Sequence, residues 1–455
     1  MKLPNNARLT RRGFLAGAGS VGAIALGSRL ANPALATTPA LAPAAMATVT
    51  GAGTAADPKH VHLVGTDGWS RMPDASNPVY DATGGGAPAD APFFPDALAP
   101  DGLNTYVFGF RDATGLDAVG VAGLRGHAQI SAPMMWFDEE DNIIVTLSNL
   151  GLVLRPDLYD GHTLHWHGFV NAIPLFDGVP ELSLSVPIGR DFEYFYRVHD
   201  AGTYMYHCHF EDVEHVQMGM TGMVFVRPKQ NKGLSTGADG NVIPAGKYAY
   251  NDGDGSTRYD REYAFMMSEI WSAAHWRDAH IQVSDWTDFE PSFSCLNGRS
   301  YPDTVAPNGN PLSTDAGGLQ FQPITSLIQA RPGERVLLRL SSLSYNDHSM
   351  TCDDIDLTVI AKDASLLKGR DGVTNYQTTN TVTVGAGESR DVIFTAPDKE
   401  GTYLLYDRDY SFLSNGGGTG YGGMLTHIVV SSAVLPQVGP NDLPQANYPN
   451  DVTAV

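Results

Sequence analysis

The 455-residue sequence is poor in three things: cysteine, positive charge and long apolar segments. Three cysteines are too few for a disulfide scaffold in a chain of this length. Lysine and arginine number 29 against 50 aspartates and glutamates, and the net charge of −21 argues against nucleic acids and anionic membrane surfaces as partners. After the first 36 residues, no segment is long and apolar enough to predict a transmembrane helix.

Two of the three cysteines have no obvious role. Cys295 and Cys352 form one bridge if the protein folds outside the cytoplasm, or they remain buried thiols. The sequence leaves both alternatives open. Cys208 differs from them because a histidine stands on each side of it.

The N-terminus has the features of an export signal. Thr10–Leu15 contains the pair Arg11-Arg12, and an apolar, glycine-rich run follows from Phe14 to Gly27. Ala34-Leu35-Ala36 then provides a small-residue cleavage site. We predict a twin-arginine signal peptide over residues 1–36, export of the folded protein, and a periplasmic or secreted location with no membrane attachment after cleavage.

An internal repeat predicts the architecture. Asp141–Leu150 matches Glu334–Leu343, each an acidic turn residue followed by a strand and a polar exit. Further along, Gly202–Tyr206 matches Gly401–Leu405. Each copy therefore contains the same succession of short strands, which is typical of a repeated β-sandwich.

The repeat, together with 49 glycines and 29 prolines, predicts an all-β protein of two tandem Greek-key β-sandwich domains. We expect the first domain at residues 50–230 and the second at 260–435. A Gly/Asp/Asn-rich linker is expected at 231–259 and a C-terminal tail at 436–455.

Most of the chemically informative residues lie in the first copy. His162, His165 and His167 stand within six positions of one another. About forty residues later come, in order, His207, Cys208, His209, His215 and Met220. Because the spacing repeats on two adjacent segments, it favours a metal site over a chance accumulation of polar strand residues.

The donor types select copper. One thiolate, two imidazoles and a weak axial thioether form the ligand set of electron-transfer copper. Cys208, His215 and Met220 supply three of these ligands from a strand end and the following turn, and His162 is placed to supply the fourth. Zinc gains nothing from a thioether, and iron–sulfur clusters need more cysteines.

Strand alternation predicts a second metal site beside the first. On an extended strand, His207 and His209 point away from the face that carries Cys208. His165 and His167 likewise share one face of their own segment. Four imidazoles are therefore expected to converge on a second site that is joined covalently to the first through Cys208.

These patterns resemble the copper-binding strands of the multicopper oxidase family, which includes laccases, ascorbate oxidase and copper efflux oxidases. The resemblance implies two tandem cupredoxin-like domains with a type 1 copper in the first. It assigns that copper to His162, Cys208, His215 and Met220. It assigns a type 2 copper to His165, and a type 3 pair to His167, His207 and His209.

The resemblance also implies a reaction. A small-molecule or metal-ion donor is oxidised one electron at a time near His215, the ligand expected at the solvent edge. Cys208, with His207 and His209, then conducts electrons to the second site, where oxygen is reduced. Two-domain relatives form trimers with that site between subunits, so a homotrimer is expected, in which His348 of a neighbour helps to complete the cluster.

The sequence departs from the family pattern in two places. Five residues, Phe210–Glu214, separate His209 from His215, where the laccase pattern has three. More seriously, a complete trinuclear cluster needs eight histidines, and the second copy lacks them. It has Tyr406-Asp407-Arg408 in place of His-Cys-His, only His348-Ser349-Met350 in place of His-Trp-His, and a retained Met424.

Several weaker candidates remain. His60 and His62 either fold over the site or lie exposed on a strand. Asp407 and Asp409 are oxygen ligands or proton donors, or else belong to a solvated loop. Isolated histidines are expected at the surface or in a satisfied core; they are His199, His275, His280 and His427.

Three functions therefore compete. The first is a multicopper oxidase. The second is a copper nitrite reductase. Two features argue against it: His165 stands where that family has an aspartate, and the third ligand of that family, expected near Tyr406–Asp409, is missing. The third is a blue copper electron carrier or copper-binding protein with a vestigial second site.

Overall fold

The computed structural model describes residues 46–73, 93–170, 172–234, 240, 242–308, 318–416, 418 and 420–443. The predicted signal peptide at 1–36 lies outside the described residues. Within the described parts of the chain, no helix is both long and apolar enough to cross a membrane.

The described residues form mostly strands. In chain order these are β1 (Lys59–Ser70), β2 (Thr105–Asp112), β3 (Ala132–Asp138), β4 (Asn142–Asn149), β5 (His165–His167), β6 (Asp191–Arg197), β7 (Gly202–His207), β8 (Thr221–Arg227), β9 (Arg261–Ile270), β10 (Phe293–Leu296), β11 (Ile328–Ala330), β12 (Arg335–Ser342), β13 (His348–Thr351), β14 (Leu357–Lys362), β15 (Ser365–Leu366), β16 (Gln377–Thr379), β17 (Thr381–Val384), β18 (Ser389–Thr395), β19 (Gly401–Asp407) and β20 (Leu425–Val430). Three α-helices accompany them: α1 (Ala118–Ala122), α2 (Asp212–Met218) and α3 (Ser272–Ala279). Short 3-10 turns occur at Pro174–Phe176, Lys229–Lys232, Trp286–Asp288, Asp303–Val305, Leu319–Phe321, Tyr410–Leu413 and Pro440–Asp442.

The first sandwich consists of two four-stranded sheets, ordered β2-β1-β4-β6 and β3-β8-β7-β5. Strand β4 shows why they pack: Ile143, Val145 and Leu147 alternate with more exposed neighbours and enter one core. Trp166 of β5, itself buried, stacks on Tyr196 with ring centroids 4.4 Å apart. This core holds the strands on which the predicted ligands stand.

The second sandwich pairs a sheet ordered β10-β9-β12-β18-β14-β15, with β16 on β14, against one ordered β11-β20-β19-β13-β17. Strand β12 also places every second residue, Val336, Leu338 and Leu340, in one core, but the residues between them are buried as well. The connecting segment is tied to this sandwich, because Tyr250 and Tyr259 are buried in a side cluster with Leu337.

The two sandwiches have equivalent connections. In the first, β1 runs parallel to β4 and β3 runs parallel to β8. In the second, β9 runs parallel to β12 and β11 runs parallel to β20. Strands β5, β7 and β8 thus correspond to β13, β19 and β20. The prediction of an all-β protein with two tandem sandwiches is confirmed.

A buried ionic network joins the sandwiches. Arg339 of β12 donates from Nε to Glu262 (2.7 Å) and from Nη1 to the hydroxyl of Thr203 on β7 (2.8 Å). Thr203 in turn donates to Asp391 over 2.5 Å. Apolar residues of both sandwiches also form one cluster: Met134, Met205, Met223, Phe225, Ala264, Met266, Ile324 and Leu443. Strand β7 is therefore anchored from both sides.

Candidate metal centre

Four predicted ligands, His162, Cys208, His215 and Met220, lie together inside the first sandwich and form what we call the cysteine set. None of the four is exposed. Cys208 Sγ lies 3.2 Å from His215 Nδ1 and 4.0 Å from His162 Nδ1. A Cβ built on Gly65 would lie 2.5 Å from His162 Cδ2 and 3.2 Å from Met220 Cε, so both side chains border this glycine.

Local structure positions the cysteine set. Cys208 directly follows β7, and its N–H donates to the Met220 carbonyl over 3.2 Å. The Met220 N–H donates to the His215 carbonyl over 2.9 Å, which closes the loop between them. The two extra residues of this loop are accommodated in helix α2, which contains His215. The longer spacing therefore still brings His215 to the sulfur.

The surroundings of Cys208 favour a thiolate. The Thr163 N–H points at Sγ from 3.4 Å. Burial alone would raise the pKa of the Cys208 thiol, but the His215 and His162 imidazoles lower the pKa to about 5. A thiolate facing two Nδ1 atoms, with a thioether alongside, fits copper by donor type.

His215 lies deeper than the sequence analysis expected. It has no exposed surface, and its outer nitrogen, Nε2, lies 3.3 Å from Asp160 Oδ1. Asp160 is itself only 2% exposed. Burial would raise the pKa of this carboxyl, but hydrogen bonding and charge from His215 hold the pKa below its ordinary value. The expectation that His215 lies at the solvent edge is therefore wrong.

The other four histidines of the first copy form a second group, the histidine set: His165, His167, His207 and His209. The His165 ring centroid lies 5.7 Å from that of His167 and 5.2 Å from those of His207 and His209. One nitrogen each of His165, His167 and His207 lies within 4.8 Å of the others. The pairing of His165 with His207 between β5 and β7 creates this proximity.

In His165 and His207, hydrogen bonds are made by Nδ1 and leave Nε2 free to bind a metal. His165 Nδ1 donates to the Asp177 carbonyl over 2.6 Å, and His207 Nδ1 donates to the Cys208 carbonyl over 2.8 Å. Nε2 of each ring is thereby available for a metal. Burial lowers the pKa of His207 to about 3, so this imidazole is neutral, as a metal ligand must be. His167 faces Gly387 of the second sandwich, where an added Cβ would lie 3.0 Å from Nε2.

The structure brings His348 to neither set. It is fully buried in the second sandwich, where Nδ1 bonds Asp407 Oδ2 over 2.7 Å and Nε2 lies 3.7 Å from Glu269 Oε1. A side chain with no exposed surface and a carboxylate at each nitrogen is not available to a neighbouring subunit. The expectation that His348 completes the cluster is therefore wrong.

Strand register shows what His348 corresponds to. His165 pairs with His207, and Thr351 pairs with Tyr406 at the equivalent positions of β13 and β19. Counting back three residues from His165 and from Thr351 places His348 at the position of His162. Counting forward one residue from His207 and from Tyr406 places Asp407 at the position of Cys208. The sequence comparison of His348-Ser349-Met350 with His165-Trp166-His167 is therefore shifted by three residues.

The remaining candidates lie apart from both sets. His60 is exposed on β1, and the His62 Nε2 bonds the Ser148 hydroxyl over 2.6 Å. Asp409 caps the turn at Tyr410–Leu413 by accepting from Ser411 N–H. Cys295 and Cys352 are free, buried thiols, so the bridge between them is not formed.

Sequence reasoning missed several residues that shape the sites. Asp160 stands only two positions before His162, which was a usable signal. Asp177 acts through its backbone carbonyl, which leaves no trace in residue type. Gly65 and Gly387 matter because they lack a side chain, and their contacts come from strands distant in sequence.

The fold and the two neighbouring sets of side chains, one with a cysteine and one of four histidines, are those expected of a cupredoxin-type protein. Two family models, both described as multicopper oxidase, match residues 122–231 and 261–432, which together cover more than half of the chain. The chain belongs to the multicopper oxidase family, whose members bind copper.

Individual relatives are more distant. Multicopper oxidase MCE of Talaromyces pinophilus is 32% identical over 129 residues, covering 28% of this chain and 19% of that protein. Copper resistance protein A of Escherichia coli is 24% identical over 364 residues, covering 71% of this chain and 51% of that protein. The matches thus span between about a fifth and a half of these curated relatives.

Among solved structures, blue copper oxidase from Nitrosomonas europaea superposes with a TM-score of 0.55 at 20% identity. The superposition covers 82% of this chain and 85% of that one. At this identity the likeness establishes a shared fold.

Proposed function

We propose that this protein is a copper-dependent oxidoreductase that takes electrons from a one-electron donor and passes them to oxygen. One observation carries the proposal: Cys208 lies in the cysteine set, while the residues on either side of it, His207 and His209, lie in the histidine set. Copper held by the two sets would supply one-electron redox chemistry at the first and oxygen reduction at the second.

The chain itself provides the link between the two sets. Cys208 is bonded through its backbone to His207 and His209, and the His207 ring donates to the Cys208 carbonyl over 2.8 Å. An electron that reaches the sulfur therefore has a short covalent route, and a parallel hydrogen-bonded one, to two imidazoles. We assign Cys208, His207 and His209 to electron transfer in addition to copper binding. The five other predicted ligands apart from His348 keep their roles within that proposal: His162, His165, His167, His215 and Met220.

We further propose a homotrimer in which a neighbouring subunit covers the histidine set. Four histidines are half of a complete trinuclear cluster, and His165, His167 and His209 are only partly buried. Exposed apolar side chains occur in the segment that follows His167, between β5 and β6, with Val170 81%, Leu182 71% and Leu184 57% exposed. Such a patch beside an incomplete site is typical of an interface.

The donor is a small molecule or a metal ion. Because His215 is buried behind Asp160, a donor does not touch the imidazole directly. The excess of acidic residues favours a cation. Twin-arginine export to the periplasm or beyond, and domain boundaries at 50–230 and 260–435, belong to the same proposal.

Copper loading tests the function. Purified protein saturated with copper should show the intense blue charge-transfer band, a type 2 resonance signal and three or four coppers per chain, and should consume oxygen with a phenolic or metal donor. Light scattering of the same sample should give a trimer. Fully loaded protein that consumes no oxygen with any donor would overturn the oxidase proposal.

A blue copper electron carrier is the second candidate. It is favoured by the second sandwich, which carries Thr351, Asp353, Tyr406 and Arg408 at the positions equivalent to the histidine set. One copper per chain, with a blue band and no type 2 signal, would establish it. Nitric oxide release from nitrite would instead support the nitrite reductase alternative.

A further inference from the structure

Asp160 makes an unusual contact with a proposed copper ligand. His215 presents Nδ1 to the Cys208 sulfur, so Nε2 is the nitrogen that faces away from the copper site. That outer nitrogen lies 3.3 Å from Asp160 Oδ1. Neither His215 Nε2 nor the corresponding nitrogen of His162 makes a hydrogen bond of good geometry among the described residues, but only His215 Nε2 has a carboxylate oxygen within 4 Å. The two imidazoles of the cysteine set therefore have different surroundings.

The backbone fixes Asp160 in this place. Its carbonyl accepts from Asn149 Nδ2 over 2.6 Å, and Asn149 ends strand β4. A Cβ on the following residue, Gly161, would lie 3.1 Å from Ser185 Cβ, so the segment is tightly packed. The carboxylate is thus held by the same segment that leads to His162.

Two contacts tie the segments around Asp160 and His215 to the second half of the chain. Arg155, 6% exposed, bonds Asp278 of helix α3, which belongs to the second half of the chain. Tyr345, also of the second half, donates its hydroxyl to the Val213 carbonyl of helix α2 over 3.1 Å. Because Asp160 is only 2% exposed and His215 has no exposed surface, the Asp160 charge is screened by solvent far less than a charge at the surface.

We propose that Asp160 is a positioning residue that holds His215 through Nε2 and lowers the reduction potential of the copper bound by the cysteine set. The carboxylate orients the imidazole, as outer carboxylates do for metal-bound histidines. Its negative charge favours oxidised copper, which carries one more positive charge than reduced copper. The inference rests on the copper site of the proposed function, but not on oxygen reduction.

The test compares Asp160→Asn with wild type by redox titration of the blue band. Asparagine has nearly the same shape and retains an acceptor for Nε2–H, so the change removes mainly the charge. At a fixed ambient potential, the ratio of reduced to oxidised copper should rise at least tenfold, which equals 59 mV for a one-electron couple.

Glu211→Gln is the matched control. Glu211 belongs to the same acidic group around His215, but it is exposed. Solvent screens the Glu211 charge, so in Glu211→Gln the ratio of reduced to oxidised copper should change less than threefold. An unchanged potential in Asp160→Asn, or an equal shift in Glu211→Gln, would refute the specific role of Asp160.

A second measurement covers the case in which Asp160→Asn takes up no copper. Pulsed EPR of the wild-type protein should resolve two different quadrupole couplings for the outer nitrogens, because only His215 faces a carboxylate. Identical couplings would refute the inference. Absence of a blue band in the wild type would instead refute the proposed function, so the two failures are distinguishable.

Discussion

In the first sandwich, Cys208 follows strand β7 and faces two imidazoles; in the second, Asp407 ends strand β19 and binds His348 over 2.7 Å. The surrounding backbone is the same at both places. The Cys208 N–H donates to the Met220 carbonyl, and the Asp407 N–H donates to the Met424 carbonyl. A carboxylate paired with an imidazole has thus taken the place of a metal-ligand pair, and both methionines remain buried.

Further equivalences show how the second site is filled. The ring centroids of Phe412 and His348 lie 4.7 Å apart, and those of His215 and His162 lie 5.2 Å apart, so Phe412 takes the place of His215. Glu269 of β9 occupies the position that Asp67 has in β1. Asp67 accepts from backbone N–H groups of the loop after β4, and Glu269 accepts from those of the loop after β12. The loop architecture therefore persists without a metal, because hydrogen bonds and an aromatic ring fill the same volume.

The largest expected effect comes from replacing Cys208, in comparison with the same change at its counterpart Asp407. Copper-loaded Cys208→Ser should lose the blue band and all donor oxidation, because a hydroxyl does not replace the thiolate. Asp407→Ser, at the equivalent position, should keep both. Visible absorption and a donor assay on the two variants measure the difference, and a blue band that survives in Cys208→Ser would contradict the assignment.

The second prediction concerns the contact between the sandwiches. Arg339→Leu leaves Asp391 buried without its cation and Glu262 with Arg227 alone, so it should lower the free energy of unfolding by about 3–5 kcal/mol. Arg258→Leu, whose arginine is 58% exposed beside Asp260, should cost less than about 1 kcal/mol. Urea unfolding measures both, and equal losses would show that the network contributes no more than a surface ion pair.

The third prediction compares the histidine set with its counterpart. His167→Ala should keep the blue band and reduce turnover about 100-fold or more, because it removes a ligand of the second site alone. Asp353→Ala, at the equivalent exposed position of the second sandwich, should leave turnover unchanged. Steady-state oxygen consumption tests this, and normal turnover in His167→Ala would refute the second site.

The smallest expected effect lies in the second sandwich. Asp407→Asn retains an acceptor for His348 but removes its charge, so it should lower the free energy of unfolding by about 1 kcal/mol. The exposed change Asp398→Asn should have an effect within about 0.5 kcal/mol. Thermal or urea unfolding measures both, and a blue band altered by Asp407→Asn would contradict the independence of the two sites.

Spacing was enough to predict which side chains gather in the first sandwich. His207, Cys208 and His209 divide between two faces because side chains alternate along any strand. The repeat of Asp141–Leu150 in Glu334–Leu343 was enough to predict the second sandwich, since both segments place every second residue of their strand in a hydrophobic core.

Other features depend on register and packing, which residue types do not reveal. The sequence comparison aligned His348 with His165, but the pairing of Thr351 with Tyr406 places His348 three residues earlier, at the position of His162. The burial of His215 was missed because residues distant in the sequence pack against it, such as Phe108 of β2, whose ring centroid lies 5.7 Å from that of His215.

The shared methionine-rich cluster and the Thr203–Arg339 contact have a practical consequence for protein engineering. Cutting the chain after β8 to obtain a minimal blue protein would uncover Met205, Met223 and Phe225 and remove the partners of strand β7. Such a fragment should aggregate and be poorly soluble unless these positions are first replaced with polar side chains. The second sandwich thus keeps an apolar surface of the first sandwich covered.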